Sequence, residues 1–142
     1  TWISICLWCC IGKKIKNEKG KIFSLIGDGE CNEGTIWESL LIASHHNLDN
    51  LICIIDKNKS TDRALKIDDL KKKIKFFNWD CFVIDGHNKK ALLTSINKQR
   101  KKPLAIIANT IKGKGVTFME NNPEWHHKKV DKETIKKFEL IL

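Results

Sequence analysis

No stretch of this 142-residue sequence is apolar for long enough to cross a bilayer as a helix. The segment Trp2 to Ile11 is nearly all apolar but only ten residues long, about half of the ~20 that a spanning helix requires. It also lacks the basic leader and small-residue cleavage site of a signal peptide. A buried helix or strand is expected there, and no membrane anchor. The lysines have no aromatic residues interleaved among them for base stacking. They account for a formal charge of +9 and fall in clusters at Lys13–Lys21, Lys71–Lys75, Lys98–Lys102 and Lys128–Lys137, on expected turns or outer helix faces. A solvated surface is the expected reading, not a nucleic-acid groove. The six cysteines (Cys6, Cys9, Cys10, Cys31, Cys53, Cys81) are read as holding no C-x-x-C pair and as fitting neither a disulfide framework nor a zinc site; Cys53 and Cys81 lie in apolar, strand-like runs, where a free cysteine acts as a small hydrophobe. A reducing, cytoplasmic setting is expected. There is no internal repeat and no low-complexity linker. The chain opens on Thr1 instead of Met and is expected to be a fragment, a single partial domain over 1–142.

What the sequence does contain is alternation. The apolar, β-branched runs Lys21–Ile26, Leu51–Ile55, Asp80–Ile84 and Leu104–Asn109 have the length and composition of buried parallel strands. Between them lie helical patterns: Thr35–His46, with Trp37, Leu40, Leu41 and Ser44 at helical spacing; a segment with Ile67, Leu70, Ile74 and Phe77 on one face; and Lys89–Lys98. A last helix is expected over Asp131–Leu142. The fold class is therefore α/β, an open, mostly parallel sheet with helices on both faces. Right-handed crossovers put every strand-to-helix loop on one edge, where ligands of such sheets bind. The loops at Asp28, Asn58, His87 and Lys112–His126 are expected to converge there.

Asp28 follows the first run and Asn58 follows the second, so in a parallel sheet the two can be neighbours. A carboxylate and an amide oxygen are hard ligands suited to Mg²⁺, which fills its remaining positions from phosphate oxygens and water. Gly27 and Gly29 would let backbone approach those phosphates, and the helix starting near Thr35 could aim its N–H groups at the same anion.

Gly27-Asp28-Gly29, a gap of twenty-eight residues and then Asn58 resembles the thiamine diphosphate motif. The pattern Gly-Asp-Gly-Glu-x-x-Glu-Gly-x-x-Trp-Glu, followed by Leu48 to Ile52, resembles transketolase specifically, and Lys112 to Glu120 with Asn121 to His126 resembles the end of the N-terminal subunit of two-chain transketolases. The resemblance spans roughly Gly12 to Lys129. It implies the diphosphate-binding domain of the thiamine diphosphate fold, with Asp28, Asn58 and the Ser60 carbonyl as Mg²⁺ ligands. It implies that Glu33 and Glu38 lie at a dimer contact linking two cofactor sites, and that His126 faces the diphosphate and the reacting carbon as a catalytic group. A C-terminal transketolase subunit carrying the pyrimidine-binding domain is the implied partner, self-association is implied for the full enzyme, and sugar phosphates are the implied substrates. The sequence departs from the family at Trp2, Trp8, Cys9 and Cys10, which replace small residues, and at His127, which replaces a glycine. Two rivals follow: a non-catalytic relic of that domain, and an enzyme of the deoxyxylulose phosphate synthase type.

Overall fold

The computed structural model describes residues 2–59, 65–126, 129, 131 and 134–135. Four strands, β1 (Ile22–Gly27), β2 (Leu51–Lys57), β3 (Asp80–Asp85) and β4 (Leu104–Asn109), form one sheet. Their order is β1-β2-β4-β3 and every pairing is parallel. Helices α1 (Trp2–Ile15), α2 (Gly34–His45), α3 (Leu70–Phe76) and α4 (Lys89–Asn97) flank it. The expected α/β layer with helices on both faces is thus observed.

Strand alternation divides the core. Leu51, Cys53, Ile55, Ala105 and Ile107 face α1, α2 and α3 and pack with Ile3, Leu7, Ile36, Leu40, Leu70 and Ile74. Ile52, Leu104 and Ile106 face the other way and meet Leu92 and Ile96 of α4. Residues on both faces of β2 and β4 are apolar because these central strands are covered on both sides. Trp79 ties the layers, its ring nitrogen donating to the Leu40 carbonyl at 2.8 Å while 3% exposed. Helix starts follow local rules. Asn88 caps α4 by accepting from the Ala91 N–H, and Asp69 caps α3 by accepting from the Lys72 N–H.

Three expectations need correction. The opening segment is a helix, but it is not buried all round: Ile3, Leu7 and Cys10 are buried while Trp2, Ile5 and Trp8 are exposed. It also runs on through Gly12 to Ile15, because Gly12 is tolerated inside a helix at a modest cost. Finally, Cys6-Leu7-Trp8-Cys9 does have C-x-x-C spacing. The pair lies inside α1, where i, i+3 Cβ atoms stand about 5–6 Å apart, beyond the ~3.5–4.5 Å of a disulfide. All six cysteines are free.

The chain divides into two compact units, Thr1–Asn109 and Thr110–Leu142. The first holds the sheet and helices just described. The second begins as a turn-rich loop closed by the Asn121 N–H donating to the Lys112 carbonyl and the Gly115 N–H donating to the Glu120 carboxylate. Gly113 has φ +76, and a Cβ there would lie 2.6 Å from the Met119 carbonyl oxygen, so only glycine fits. Phe118 and Trp125 stack with centroids 5.4 Å apart. Thr134 and Ile135 are helical, with Asp131 accepting from the Thr134 N–H and hydroxyl. The rest of the helix expected over Asp131–Leu142 lies outside the described residues.

Candidate metal and diphosphate site

The register of β1 on β2 pairs Gly27 with Asp56, so Asp28 and Asn58 leave two adjacent parallel strands at the same edge. The ladder continues one step past β1, the Asp28 N–H donating to the Asp56 carbonyl at 3.0 Å. Across the gap, the Lys59 N–H donates to Asp28 Oδ2 at 2.7 Å. This short, charge-assisted bond ties the two loops together. Asn58 Nδ2 donates to Asp56 Oδ2 at 3.0 Å, which turns the amide oxygen away from that carboxylate. The two residues singled out from sequence are therefore brought together, and each side chain is oriented by a neighbour.

The loop after β1 differs in detail from expectation. A 3-10 turn, Gly29–Asn32, stands between the strand and α2, with Asp28 at its cap position and Glu33 at the cap of α2. The helical turn next to Asp28 is thus this short one, and α2 starts only at Gly34. Glu30 folds back so that Oε2 accepts from the Gly27 N–H at 2.8 Å, and the Cys31 thiol lies 3.9 Å from the Gly27 carbonyl. Burial, reinforced by the charges of Asp28 and Glu30, pushes the Cys31 thiol up to about 12, so it is a neutral donor at ordinary pH. A Cβ at Gly27 would meet only Glu30 Oε2 at 3.8 Å, and one at Gly34 would meet nothing within 4 Å. Among the described residues, no packing demands glycine at either place.

The remaining site residues are placed less completely. Glu33 and Glu38 are exposed, one capping α2 and the other on its first turns. His87 follows β3 at the same edge as Asp28, with its N–H donating to Asp85 Oδ1 at 2.9 Å. Ser60 lies outside the described residues. His126 closes a 3-10 turn, Pro123–His126, of the second unit; its backbone is described and its side chain is not. Three participants were missed as such: Asp56, which orients Asn58; Glu30, which latches Gly27; and Lys59, whose φ of +62 aims its N–H at Asp28. Glu30 and Asp56 could have been suspected from their places beside the strand ends. No sequence signal marks a lysine for positive φ. Among the described residues, no group of three or more His, Cys, Asp or Glu could hold a metal ion.

A groove of ≈ 530 Å³ lies beside the turn, lined by Asn32, Trp37, Leu65, Ile67, Phe76 and Phe77 among others. Trp37 and Phe77 stack in it at 5.8 Å.

The chain is an α/β protein with an all-parallel sheet, and an Asp and an Asn stand at neighbouring carboxyl ends, the edge at which ligands of such sheets bind. Residues 12–142 match the family described as transketolase, thiamine diphosphate binding domain, and the chain belongs to the transketolase family. Transketolase-like protein 2 of Bos taurus is 38% identical over 130 residues, covering 86% of this chain and 21% of that protein. Human transketolase is 36% identical over 126 residues, covering 85% of this chain and 20% of that one. Among solved structures, the transketolase of Campylobacter jejuni superposes with a TM-score of 0.78 at 30% identity, covering 87% of this chain and 21% of that chain. A Pichia stipitis transketolase mutant in complex with fructose-6-phosphate superposes at 0.75 with 25% identity, over 87% and 19% of the two chains. The chain spans about a fifth of the length of these relatives. Among the described residues, no helix is long and apolar enough to cross a membrane.

Proposed function

We propose that this chain holds Mg²⁺ and the diphosphate of thiamine diphosphate and, with a partner chain, transfers a two-carbon ketol unit between sugar phosphates. The observation that carries the reading is the placing of Asp28 and Asn58 at the ends of adjacent parallel strands, stitched by the Lys59 N–H. The donor chemistry fits: a carboxylate, an amide oxygen and the Ser60 carbonyl leave room for phosphate oxygens and water around Mg²⁺. The glycines at 27 and 34, which no packing among the described residues requires, are consistent with backbone that must admit a ligand. When bound, the thiazolium cofactor supplies the carbon chemistry of ketol transfer.

The chain's own residues orient and bind. Asp28 would neutralise cation charge, Asn58 would complete its shell, and Glu30 and Asp56 would hold the loop and the amide in place. His126 would donate to the diphosphate or move a proton at the reacting centre, as a group titrating near neutrality can. Glu33 and Glu38, exposed on and beside α2, would meet the partner and link cofactor sites. The partner is a C-terminal transketolase subunit with the pyrimidine-binding domain, whose glutamate activates the cofactor ring, and the assembled enzyme self-associates. The Pichia stipitis structure holds fructose-6-phosphate, in keeping with sugar phosphates as substrates. The setting is cytoplasmic. Neither nucleic acid nor membrane is a partner.

Calorimetric titration of the chain with thiamine diphosphate tests the binding half. Heat is expected only with Mg²⁺ present, and it should disappear in Asn58→Ala. Binding that ignores both Mg²⁺ and that substitution would overturn the assignment. Mixing with a C-terminal transketolase subunit, Mg²⁺ and cofactor tests the catalytic half, and absence of ketol transfer would overturn it.

A further inference from the structure

The strands begin at an edge opposite the one that carries Asp28 and Asn58, and the length of a six-residue strand, about 20 Å, separates the two. A cavity of ≈ 630 Å³ opens at that amino edge. Its walls are the turns that lead into three strands: Gly20 and Lys21 before β1, Asp49 and Asn50 before β2, and Asn97 to Lys101 between α4 and β4. All three turns lie inside the first compact unit.

The cavity is charged with one sign. Lys21, Lys98, Arg100 and Lys101 line it against Asp49 alone, and Asp49 is already held by Lys14 at 2.7 Å. Among the described residues, no carboxylate stands within ion-pair distance of those four cations. Two of them fix the turn: Lys21 Nζ donates to the Ile96 carbonyl at 3.0 Å, while Arg100 donates from Nε to the Asp49 carbonyl at 3.1 Å and from Nη1 to the carbonyls of Ile96 and Lys98 at 3.1 and 3.3 Å. Those bonds explain cations at the end of α4, where carbonyls lack helical partners. They leave Arg100 Nη2 unexplained, since it is buried and has no partner among the described residues. Burial also works against the charge of Arg100, and Asp49 and Asp80 offset that only in part. Lys98 Nζ stands 4.7 Å from the centre of the Phe82 ring, a contact that restrains an exposed ammonium. Asn50 shows the opposite want: its Nδ2 donates to the Cys10 carbonyl at 3.2 Å, but its buried Oδ1 has no donor among the described residues.

We propose that this amino-edge cavity is an anion site separate from the proposed cofactor edge, and that it takes a small phosphate monoester carrying hydroxyl groups. Arg100, Lys98 and Lys101 meet the phosphoryl oxygens, and Asn50 Oδ1 accepts from a hydroxyl. A guanidinium already held at three carbonyls presents its remaining nitrogen at little entropic cost, and a dianion with three free oxygens can satisfy it and two ammoniums together. A buried donor and a buried acceptor in one wall call for a ligand that supplies both kinds of partner, which inorganic anions do poorly and a phosphorylated polyol does well. The volume lies within the ~300–1,000 Å³ of small-molecule sites. Neither Mg²⁺ nor thiamine diphosphate takes part.

Titration of the ¹⁵N-labelled chain with glucose 6-phosphate, followed by amide shifts in the presence of a chelator and without thiamine diphosphate, tests the site. Shifts are expected at the amides of Asp49, Asn50 and Asn97 to Lys101 and not at those of Asp28 or Asn58, with a dissociation constant of about 1 mM, as suits a few partly exposed charged contacts. Inorganic phosphate should bind about fivefold more weakly, the worth of one hydrogen bond, and glucose should not bind. Lys98→Ala combined with Lys101→Ala should raise the dissociation constant about tenfold. Lys71→Ala combined with Lys72→Ala removes the same charge from exposed positions of α3 and should leave it unchanged. Arg100→Lys keeps a charge, loses the fork and should cost about as much as the first pair; if circular dichroism shows that it unfolds, the two lysine pairs decide by themselves. Shifts spread evenly over the surface, equal losses in the two lysine pairs, inorganic phosphate as tight as the ester, or no binding at tens of millimolar would each overturn the inference.

Discussion

Replacing Asp28 separates two roles that this side chain combines. Its Oδ2 accepts from the Lys59 N–H at 2.7 Å, and the same carboxylate is the proposed charged ligand of Mg²⁺. A hydrogen bond to a charged group contributes about 1.5–3 kcal/mol when sheltered. Asp28 is only half-buried, so about 1 kcal/mol is the fair share here. Asp28→Asn keeps an acceptor in place and should cost the free chain less than ~0.5 kcal/mol; Asp28→Ala should cost the whole ~1 kcal/mol. Bound cofactor stabilises the fold by more than that, since ligand at about 100 times its dissociation constant contributes about 2.7 kcal/mol. For a chain of this size that is an increase in melting temperature of roughly 10 °C. Thermal melts followed by far-ultraviolet circular dichroism, with and without thiamine diphosphate and Mg²⁺, read both effects. The wild-type chain should gain the full increase, lose it with a chelator, and lose it in both variants. An Asp28→Asn protein that gains as much as the wild type would refute the metal role and leave only the tie to Lys59.

Other outcomes follow from single features. Trp79→Phe removes a buried donor from the Leu40 carbonyl and leaves a small cavity, so urea unfolding should show a loss of about 2–3 kcal/mol. Lys59→Gly relieves a left-handed backbone at φ +62 and keeps the N–H on Asp28, so the same assay should show a gain of about 0.5–1 kcal/mol. Burial pushes the thiols of Cys10 and Cys31 up to about 12 and that of Cys81 up to about 11. At pH 8 an aromatic disulfide reagent should therefore modify exposed Cys9 first and leave these three unreacted until urea is added. The same shifts fix the direction of an alkaline effect. Folded thiols keep protons that unfolded thiols release above pH ~8.5, so this contribution is complete below that pH and is lost as pH rises toward 11–12. Stability should fall by up to ~1.4 kcal/mol per pH unit for each thiol, and urea midpoints at pH 8 and pH 10 check the sign.

The sheet was legible because its strands are buried on both faces. Leu51 to Ile55 and Leu104 to Asn109 read as continuous apolar runs for the same reason that they sit in the middle, with helices above and below. Edge strand β1 carries the same apolar residues without the same burial, and sequence could not separate the two cases. Nor could it separate the two sides of α1: Ile3 and Trp2 are both apolar, and only packing puts one inside and the other at the surface. The strand ends were misjudged by one or two residues, β2 continuing through Asp56 and Lys57, because polar side chains at the carboxyl edge do not interrupt backbone pairing.

The site shows a sharper boundary between what residue order carries and what it does not. Asp28 and Asn58 could be singled out because each is a polar residue that follows a strand, and parallel topology brings such residues to one edge without further information. What seats them depends on register. Asp56 can orient Asn58 only because β2 extends past Ile55, and Glu30 can reach the Gly27 N–H only because that N–H points to the open edge, away from β2. Shifting β1 by one residue would turn the Gly27 N–H toward β2, leave Glu30 without that donor and carry Asp28 away from Lys59. The same register that sets the proposed metal ligands therefore leaves Leu25 facing outward. The proposed cofactor edge is thus a consequence of one strand pairing, and the Glu30 carboxylate on Gly27 marks its limit along β1.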